Sequence, residues 1–83
     1  MESITINHAI RLRVSELLIK FNMTEYRLGK NGGLSHGQIY YIMQDKNKGV
    51  QFKTVMQLAR GFNMTLIEFL DSPHFTNALI DID

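Results

Sequence analysis

The chain has 83 residues, of which 45% are hydrophobic and 20% charged, and it contains no cysteine. This length allows one modest hydrophobic core and leaves little room for a separate catalytic module. The composition is that of a globular domain, and the lack of cysteine excludes disulfides and cysteine-ligated zinc. No apolar run approaches the ~20 residues of a membrane span, and the N-terminus lacks the pattern of a signal peptide, so we expect a cytoplasmic protein.

Charge is distributed unevenly, although the formal net charge is only +1. All nine Lys and Arg residues lie between Arg11 and Arg60, whereas the last part of the chain is acidic. A basic body suggests a polyanionic partner. A solvated surface with a charged tail is the alternative reading, and charge alone does not separate the two.

The first predicted helix runs from about His8 to Phe21, and we expect Asn7 to cap it. Its apolar residues recur at helical spacing and predict a buried stripe, namely Ile10, Val14, Leu17, Leu18 and Phe21. Its charged residues are expected on the solvent side, namely Arg11, Arg13, Glu16 and Lys20. Residues 1–6 predict a short arm ahead of this helix.

The next stretch, residues 24–45, predicts two helices joined by a glycine turn. Thr24 and Ser35 are good N-cap residues for them, because their side-chain oxygens can accept from backbone N–H groups of the first turn. Gly32 and Gly33 permit the positive φ that ends the first helix. Two helices with so short a connection indicate a helix-turn-helix unit.

Two further helices are predicted beyond residue 49. The fourth covers residues 52–62, and its apolar residues, including Phe52 and Met56, are available to the core. The fifth covers residues 66–70, because Thr65 and Glu68 have the spacing of a capping box.

The last residues form an acidic, amphipathic tail after Pro73, which we expect to close the fifth helix. We therefore divide the chain into a domain over residues 1–72 and a tail over residues 73–83. The tail is too apolar to be freely solvated. It either folds back on the domain or meets a second subunit, and the sequence does not decide between these.

From about residue 10 to residue 70 the chain resembles the phage repressor and Cro family of helix-turn-helix domains. The motif of that family asks for an apolar residue, a small residue, a turn glycine and three more apolar positions. Here they are Leu28, Gly29, Gly33, Leu34, Ile39 and Ile42. The resemblance implies an all-α, five-helix lambda-repressor-like domain that binds double-stranded DNA as a homodimer and regulates transcription, most simply as a repressor.

The resemblance also assigns DNA contacts to residues of the motif and of the loop that follows it. These are Thr24, Arg27, Ser35, His36, Gly37, Gln38, Tyr40, Tyr41, Lys46, Asn47 and Lys48. The helix over residues 36–43 would enter the major groove with its N-terminal residues facing base edges. Residues 46–48 would bind phosphates.

Each side chain on that helix has an implied task. Gln38 can pair with adenine through two hydrogen bonds, and His36 can donate to guanine or to a phosphate. Tyr41 offers its hydroxyl to a phosphate or its ring to a thymine methyl group. Gly37 permits close approach of the backbone. Tyr40 and Tyr41 also have a purely structural reading, in which they cover the rim of the core.

Several positions depart from the family pattern. Glu25 stands where a glutamine usually faces a phosphate, and its carboxylate would repel that phosphate. Gly32 replaces an apolar residue, which we expect to loosen the turn. Leu18 and Met43 replace an arginine–glutamate pair, a change of the kind that is often neutral or stabilising.

Functions other than DNA binding have less support in the sequence. The three histidines do not have the spacing of a metal site, and no nucleophile–base pair or phosphate loop is present. We therefore expect neither an enzyme nor a metal or other cofactor. The serious alternative is a protein-interaction module on the same fold, such as an antitoxin or an accessory regulator.

Overall fold

The computed structural model describes residues 3–44, 50–76 and 79–81 of the chain. Within these ranges the elements are β1 Ser3–Thr5, α1 Ile6–Lys20, α2 Glu25–Gly32, α3 His36–Met43, α4 Phe52–Gly61, α5 Leu66–Leu70, α6 Pro73–Thr76 and β2 Leu79–Asp81. The prediction of an all-α helix-turn-helix fold is confirmed. The short helix α6 and the two strands are elements that the five-helix prediction misses.

Helix α1 begins two residues earlier than predicted. Thr5 is its N-cap, and the Thr5 Oγ1 accepts a hydrogen bond from the His8 backbone N–H at 3.1 Å. The prediction that Asn7 caps this helix is therefore wrong. Asn7 lies inside the first turn, where its side chain is buried and its Oδ1 has no hydrogen-bond partner. At the other end Phe21 is 44% exposed rather than buried.

One hydrophobic core joins all five longer helices and the turns between them. Its buried members are Ile10, Val14, Leu17, Leu28, Leu34, Ile39, Ile42, Val55, Leu58, Ala59, Phe62 and Phe69. Leu18 and Met43, the apolar residues at the family's ion-pair positions, are partly buried against this cluster. The core therefore holds α3 from its inner face and leaves the outer face to solvent.

Arg13 is buried, which contradicts its predicted place on the solvent side of α1. Its Nε donates to the Phe69 carbonyl at 2.7 Å, and its Nη2 donates to the Glu68 carbonyl at 2.8 Å. Its Nη1 also pairs with the Glu16 carboxylate. Helix ends leave carbonyl groups unsatisfied, and Arg13 satisfies that of Phe69 near the end of α5. The Glu68 carbonyl accepts from the Asp71 backbone N–H as well as from Arg13. A charged side chain thus joins α1 to α5.

Glycines stand where helices α2 and α4 pack against each other. A Cβ on Gly32 would overlap the Gln57 carbonyl oxygen, and a Cβ on Gly61 would lie 2.6 Å from Leu28 Cδ1. The expectation that Gly32 loosens the turn is therefore wrong. Gly32 is the last residue of α2, and its lack of a side chain is what permits the close packing against α4.

The outer face of α4 exposes large apolar side chains to solvent. Phe52 is 65% exposed and Met56 is 49% exposed, so the prediction that both serve the core is wrong.

Pro73 also differs from its predicted role, because α5 has already ended at Leu70 and Pro73 begins α6.

The end of the chain folds back on its beginning. Strands β1 and β2 are parallel, and Ser3 pairs with Leu79, Ile4 with Ile80 and Thr5 with Asp81. Phe75 packs against the core, with its ring centroid 6.3 Å from that of Phe69. Of the two alternatives for the tail, the described residues adopt the intramolecular one.

Candidate nucleic-acid interface

Helices α2 and α3 form the predicted helix-turn-helix, and each has the predicted N-cap. The Thr24 side chain accepts from the Arg27 backbone N–H, and the Ser35 side chain accepts from the Gln38 backbone N–H, both at 3.1 Å. These caps satisfy N–H groups that a helix start would otherwise leave unpaired. Both helix starts are therefore fixed by local side chains.

The turn between the two helices depends on two glycines with different tasks. Gly33 is the C-cap of α2 with a φ of 74°, which is the left-handed region. Gly29 lies one turn earlier, where a Cβ would be 2.9 Å from the Leu34 carbonyl oxygen and 3.5 Å from the Ile39 side chain. The prediction that Gly29 lets the two helices approach closely is confirmed.

Helix α3 has one buried and one exposed face. Ile39 and Ile42 are 3% exposed and anchor its inner side. The exposed residues are His36, Gly37, Gln38, Tyr40 and Tyr41, all of them predicted as DNA contacts. A Cβ on Gly37 would meet only the Ser35 Oγ, at 4.0 Å, so the fold itself does not require glycine there. The helix thus presents a polar and aromatic surface on a rigid base.

Gln38 has a structural task in addition to its predicted one. Its Oε1 accepts from the Ser35 backbone N–H at 2.9 Å, which completes a capping box. A carbonyl oxygen has two lone pairs, so the Oε1 retains one and the amide NH2 retains its donors. The side chain is held at the start of α3 while part of its hydrogen-bonding capacity stays available.

A hollow of about 500 Å³ lies between α3 and the start of α4. Gln38 and Tyr41 line it from the α3 side, and Val50, Gln51 and Thr54 line it from the other. These last three residues were not among the predicted contacts. Gln51 is the N-cap of α4 without a side-chain cap bond, and the first turn of α4 contains no acidic residue. The positive end of the α4 dipole therefore lies beside α3.

The two tyrosines of α3 are half exposed, at 46% for Tyr40 and 52% for Tyr41. Their ring centroids are 6.0 Å apart in an edge-to-face arrangement. Such a pair restricts both rings without burying either one. The interpretation in which the two tyrosines only cover the core rim therefore explains the buried half of each side chain but not the exposed half.

A second hollow, of about 210 Å³, lies between α2 and α3. His36 lines it from α3, and Glu25, Tyr26 and Lys30 line it from α2. The Lys30 Nζ is 3.4 Å from the Tyr26 hydroxyl and lies over the Tyr26 ring, 5.6 Å from its centroid. Glu25 is thus exposed in a hollow that it shares with Lys30 and His36.

The remaining predicted contacts divide into two groups. Arg27 is exposed in the first turn of α2, beside its N-cap Thr24. Lys46, Asn47 and Lys48 lie outside the described residues, so their predicted phosphate contacts have no structural counterpart here.

In the described part of the chain, no group of three or more His, Cys, Asp or Glu side chains could hold a metal ion. None of the helices in those ranges is long and apolar enough to cross a membrane.

Fold and interface together define a helix-turn-helix protein. The family model for the Cro/C1-type HTH DNA-binding domain matches residues 13–73, about three quarters of the chain. The chain therefore belongs to the Cro/C1-type HTH DNA-binding domain family. No curated protein and no solved structure matched it.

Proposed function

We propose that this domain binds double-stranded DNA at specific sequences, with α3 in the major groove, and acts as a transcriptional regulator of the repressor type. The observation that carries the proposal is the exposed face of α3 on a base fixed by Ile39 and Ile42. A rigid helix of this size with an exposed N-terminal half fits the major groove.

Base recognition falls to the first two turns of α3. Gln38 donates through its amide to a base edge while its Oε1 keeps the cap, and His36 offers a second donor at the side toward α2. Tyr41 follows Gly37 by four residues, so both lie on the same outer face. Gly37 brings the backbone close to the base edges, and Tyr41 contacts a thymine methyl group or a phosphate.

Phosphate contacts flank this helix on both sides. Lys46, Asn47 and Lys48 follow α3 in the chain, and the N-terminus of α4 supplies backbone N–H groups beside Gln51. Arg27 and Thr24 provide the corresponding contacts at α2. Such contacts set affinity and salt dependence rather than sequence choice.

We further propose a homodimer that reads two half-sites about one helical turn apart, in the cytoplasm of a bacterium or of a phage-infected cell. Each copy then contributes one α3, and the operator has approximate two-fold symmetry.

Selection of bound duplexes from a random DNA library tests the proposal. We expect enrichment of a two-fold symmetric site, and we expect Tyr41→Ala to select different bases at one or two positions in each half. Arg27→Ala, which changes a flanking phosphate contact, serves as the matched control and should weaken binding without changing the selected sequence. No enrichment over the starting library would instead favour the protein-interaction module.

A further inference from the structure

The side-chain amide of Gln38 is held in one orientation. Its Oε1 accepts from the Ser35 backbone N–H at 2.9 Å, while the Ser35 Oγ accepts from the Gln38 backbone N–H at 3.1 Å. Only the oxygen of a carboxamide accepts a hydrogen bond from an N–H group, so this contact decides which end of the amide meets the backbone. The exposed end of the side chain is therefore the NH2 group, which carries two donors.

Adenine and guanine make different demands on such an amide. In the major groove adenine presents one acceptor and one donor, so a bidentate contact needs both the oxygen and the nitrogen of the amide. Guanine presents two acceptors, N7 and O6, and needs donors alone. An adenine at this place has to share the Gln38 Oε1 with the Ser35 N–H, whereas a guanine uses only the NH2 group that the capping box leaves free.

The start of α3 around Gln38 is also rich in donors. The first N–H groups of a helix lack partners within the helix, and its N-terminus carries a partial positive charge. The first turn of α3 contains no acidic residue. A Cβ on Gly37 would meet only the Ser35 Oγ, at 4.0 Å, so the backbone of this turn is open to the groove. A base edge made only of acceptors is the complement of such a surface.

We propose that Gln38 reads a guanine, so that the operator carries a G·C pair at the position that faces this residue. The capping box sets the choice, because it keeps the Oε1 on Ser35 and presents the NH2 group to the groove. The side chain alone predicts adenine; its hydrogen bond to Ser35 reverses that preference. The assignment rests on the proposed function, since it needs α3 in the major groove, and it names the base that one residue of α3 recognises.

Base preference at one position of the operator tests the assignment. The position that faces Gln38 is the one at which Gln38→Ala loses discrimination in a selection from a random duplex library. Fluorescence anisotropy then compares duplexes that differ only there, with the selected G·C pair or with an A·T pair in either orientation. We expect the wild type to bind the G·C duplex at least about 10-fold more tightly.

Two substitutions at Ser35 separate the cap from the base. Ser35→Pro removes the backbone N–H that holds the Gln38 Oε1, and proline suits this position because its φ is −72° and Leu34 before it lies outside the helices. Ser35→Ala is the matched control, since it removes the same hydroxyl group but keeps the N–H. We expect Ser35→Pro to narrow the preference for G·C to about threefold or less, because adenine gains a free oxygen, and Ser35→Ala to keep the wild-type ratio.

A second variant does not depend on the fold accepting proline. Lysine donates hydrogen bonds but cannot accept them, so we expect Gln38→Lys to retain the preference for G·C. Because the added charge also strengthens binding to phosphates, the readout is the ratio of the two dissociation constants rather than either affinity. Circular dichroism at the same temperature verifies that each variant is folded.

The outcomes separate this assignment from the proposed function. The assignment is overturned by a wild type that prefers A·T at this position, by an unchanged ratio in a folded Ser35→Pro variant, or by a Gln38→Lys variant with a different preferred pair. Sequence-specific binding stands in each of these cases. Failure of the proposed function has a different signature, since no duplex is then enriched over the starting library.

Discussion

Ser35 and Gln38 exchange two hydrogen bonds at the start of α3. The Ser35 Oγ accepts from the Gln38 backbone N–H at 3.1 Å, and the Gln38 Oε1 accepts from the Ser35 backbone N–H at 2.9 Å. The side chain proposed to read a base is thus also a component of the cap. This arrangement orients the glutamine before DNA arrives and reduces the entropy that binding must overcome.

The two tasks of Gln38 can be separated. Gln38→Glu keeps the capping box and places a carboxylate where the helix dipole favours it, so we expect stability within about 0.5 kcal/mol of wild type. It removes the amide donors, and we expect affinity for the selected duplex to fall about 10- to 100-fold. Thermal denaturation and fluorescence anisotropy measure the two effects.

Added negative charge alone also weakens DNA binding, so a charge control is needed. Gln44→Glu makes the same change at the exposed C-cap of α3. If it weakens binding as much as Gln38→Glu does, the specific amide contact is refuted.

Gly37 and Gly32 should respond differently to alanine. A Cβ at Gly37 meets nothing closer than 4.0 Å, and alanine is the better helix former, so Gly37→Ala should leave stability equal or up to about 1 kcal/mol higher. The affinity of the Gly37→Ala variant for DNA should fall, because the added methyl group occupies the space in which the base edges approach the backbone. Gly32→Ala should lose about 1–3 kcal/mol through overlap with Gln57. A Gly37→Ala variant with unchanged affinity would contradict the close approach.

Arg13 should be among the most sensitive positions on α1. Arg13→Met fills a similar volume but leaves the Phe69 carbonyl without its donor and the Glu68 carbonyl with only the Asp71 backbone N–H, and we expect a loss of about 2–3 kcal/mol in the free energy of unfolding. Urea denaturation measures it. Arg11→Met is the matched control on the same helix and should change stability by less than about 0.5 kcal/mol. Equal losses for the two variants would mean that the buried hydrogen bonds contribute little.

The capping box of α5 predicts a pH dependence. Two hydrogen bonds hold the pKa of the Glu68 carboxyl below its ordinary value of 4.5. The larger effect comes from the Thr65 backbone N–H and the smaller from the Thr65 side chain. Because this pKa is lower in the folded chain than in the unfolded chain, the ionised Glu68 carboxylate stabilises the fold. This stabilisation is complete when the pH is above the pKa of the unfolded chain, and it is lost as the pH falls through the pKa of the folded chain. We expect the difference in Tm between wild type and Glu68→Gln to be constant from neutral pH to about 5 and to change below that. A difference that stays constant throughout acidification would exclude this carboxylate as the titrating group.

Local signals explain what the sequence predicts well. The caps at Thr24, Ser35 and Thr65 depend on residues three positions away, and Gly33 ends α2 through its own positive φ. A few consecutive residues are therefore enough to predict each of these features. The exposed face of α3 follows in the same way from the two buried isoleucines and helical spacing.

Long-range partners explain what the sequence does not predict. Arg13 is buried because its acceptors lie 55 and 56 residues further along the chain, and Gly32 is required because α4 crosses it. The pairing of β1 with β2 joins the two ends of the chain. In the candidate site, Gln51 and Thr54 were missed for the same reason, since only the packing of α4 beside α3 brings them near Gln38. Their position directly after the basic loop is the one local signal that could have indicated them.

The most direct test of the account is a fluorescence anisotropy titration of the selected duplex and of a scrambled duplex with the full chain. We expect the selected duplex to bind with a Kd of about 10⁻⁶ M or tighter and at least about 10³-fold more tightly than the scrambled one at equal salt. Lys46→Glu combined with Lys48→Glu should weaken binding to both and reduce the salt dependence. Absence of binding at low salt, or binding that this double substitution leaves unchanged, would contradict docking of α3 in the major groove.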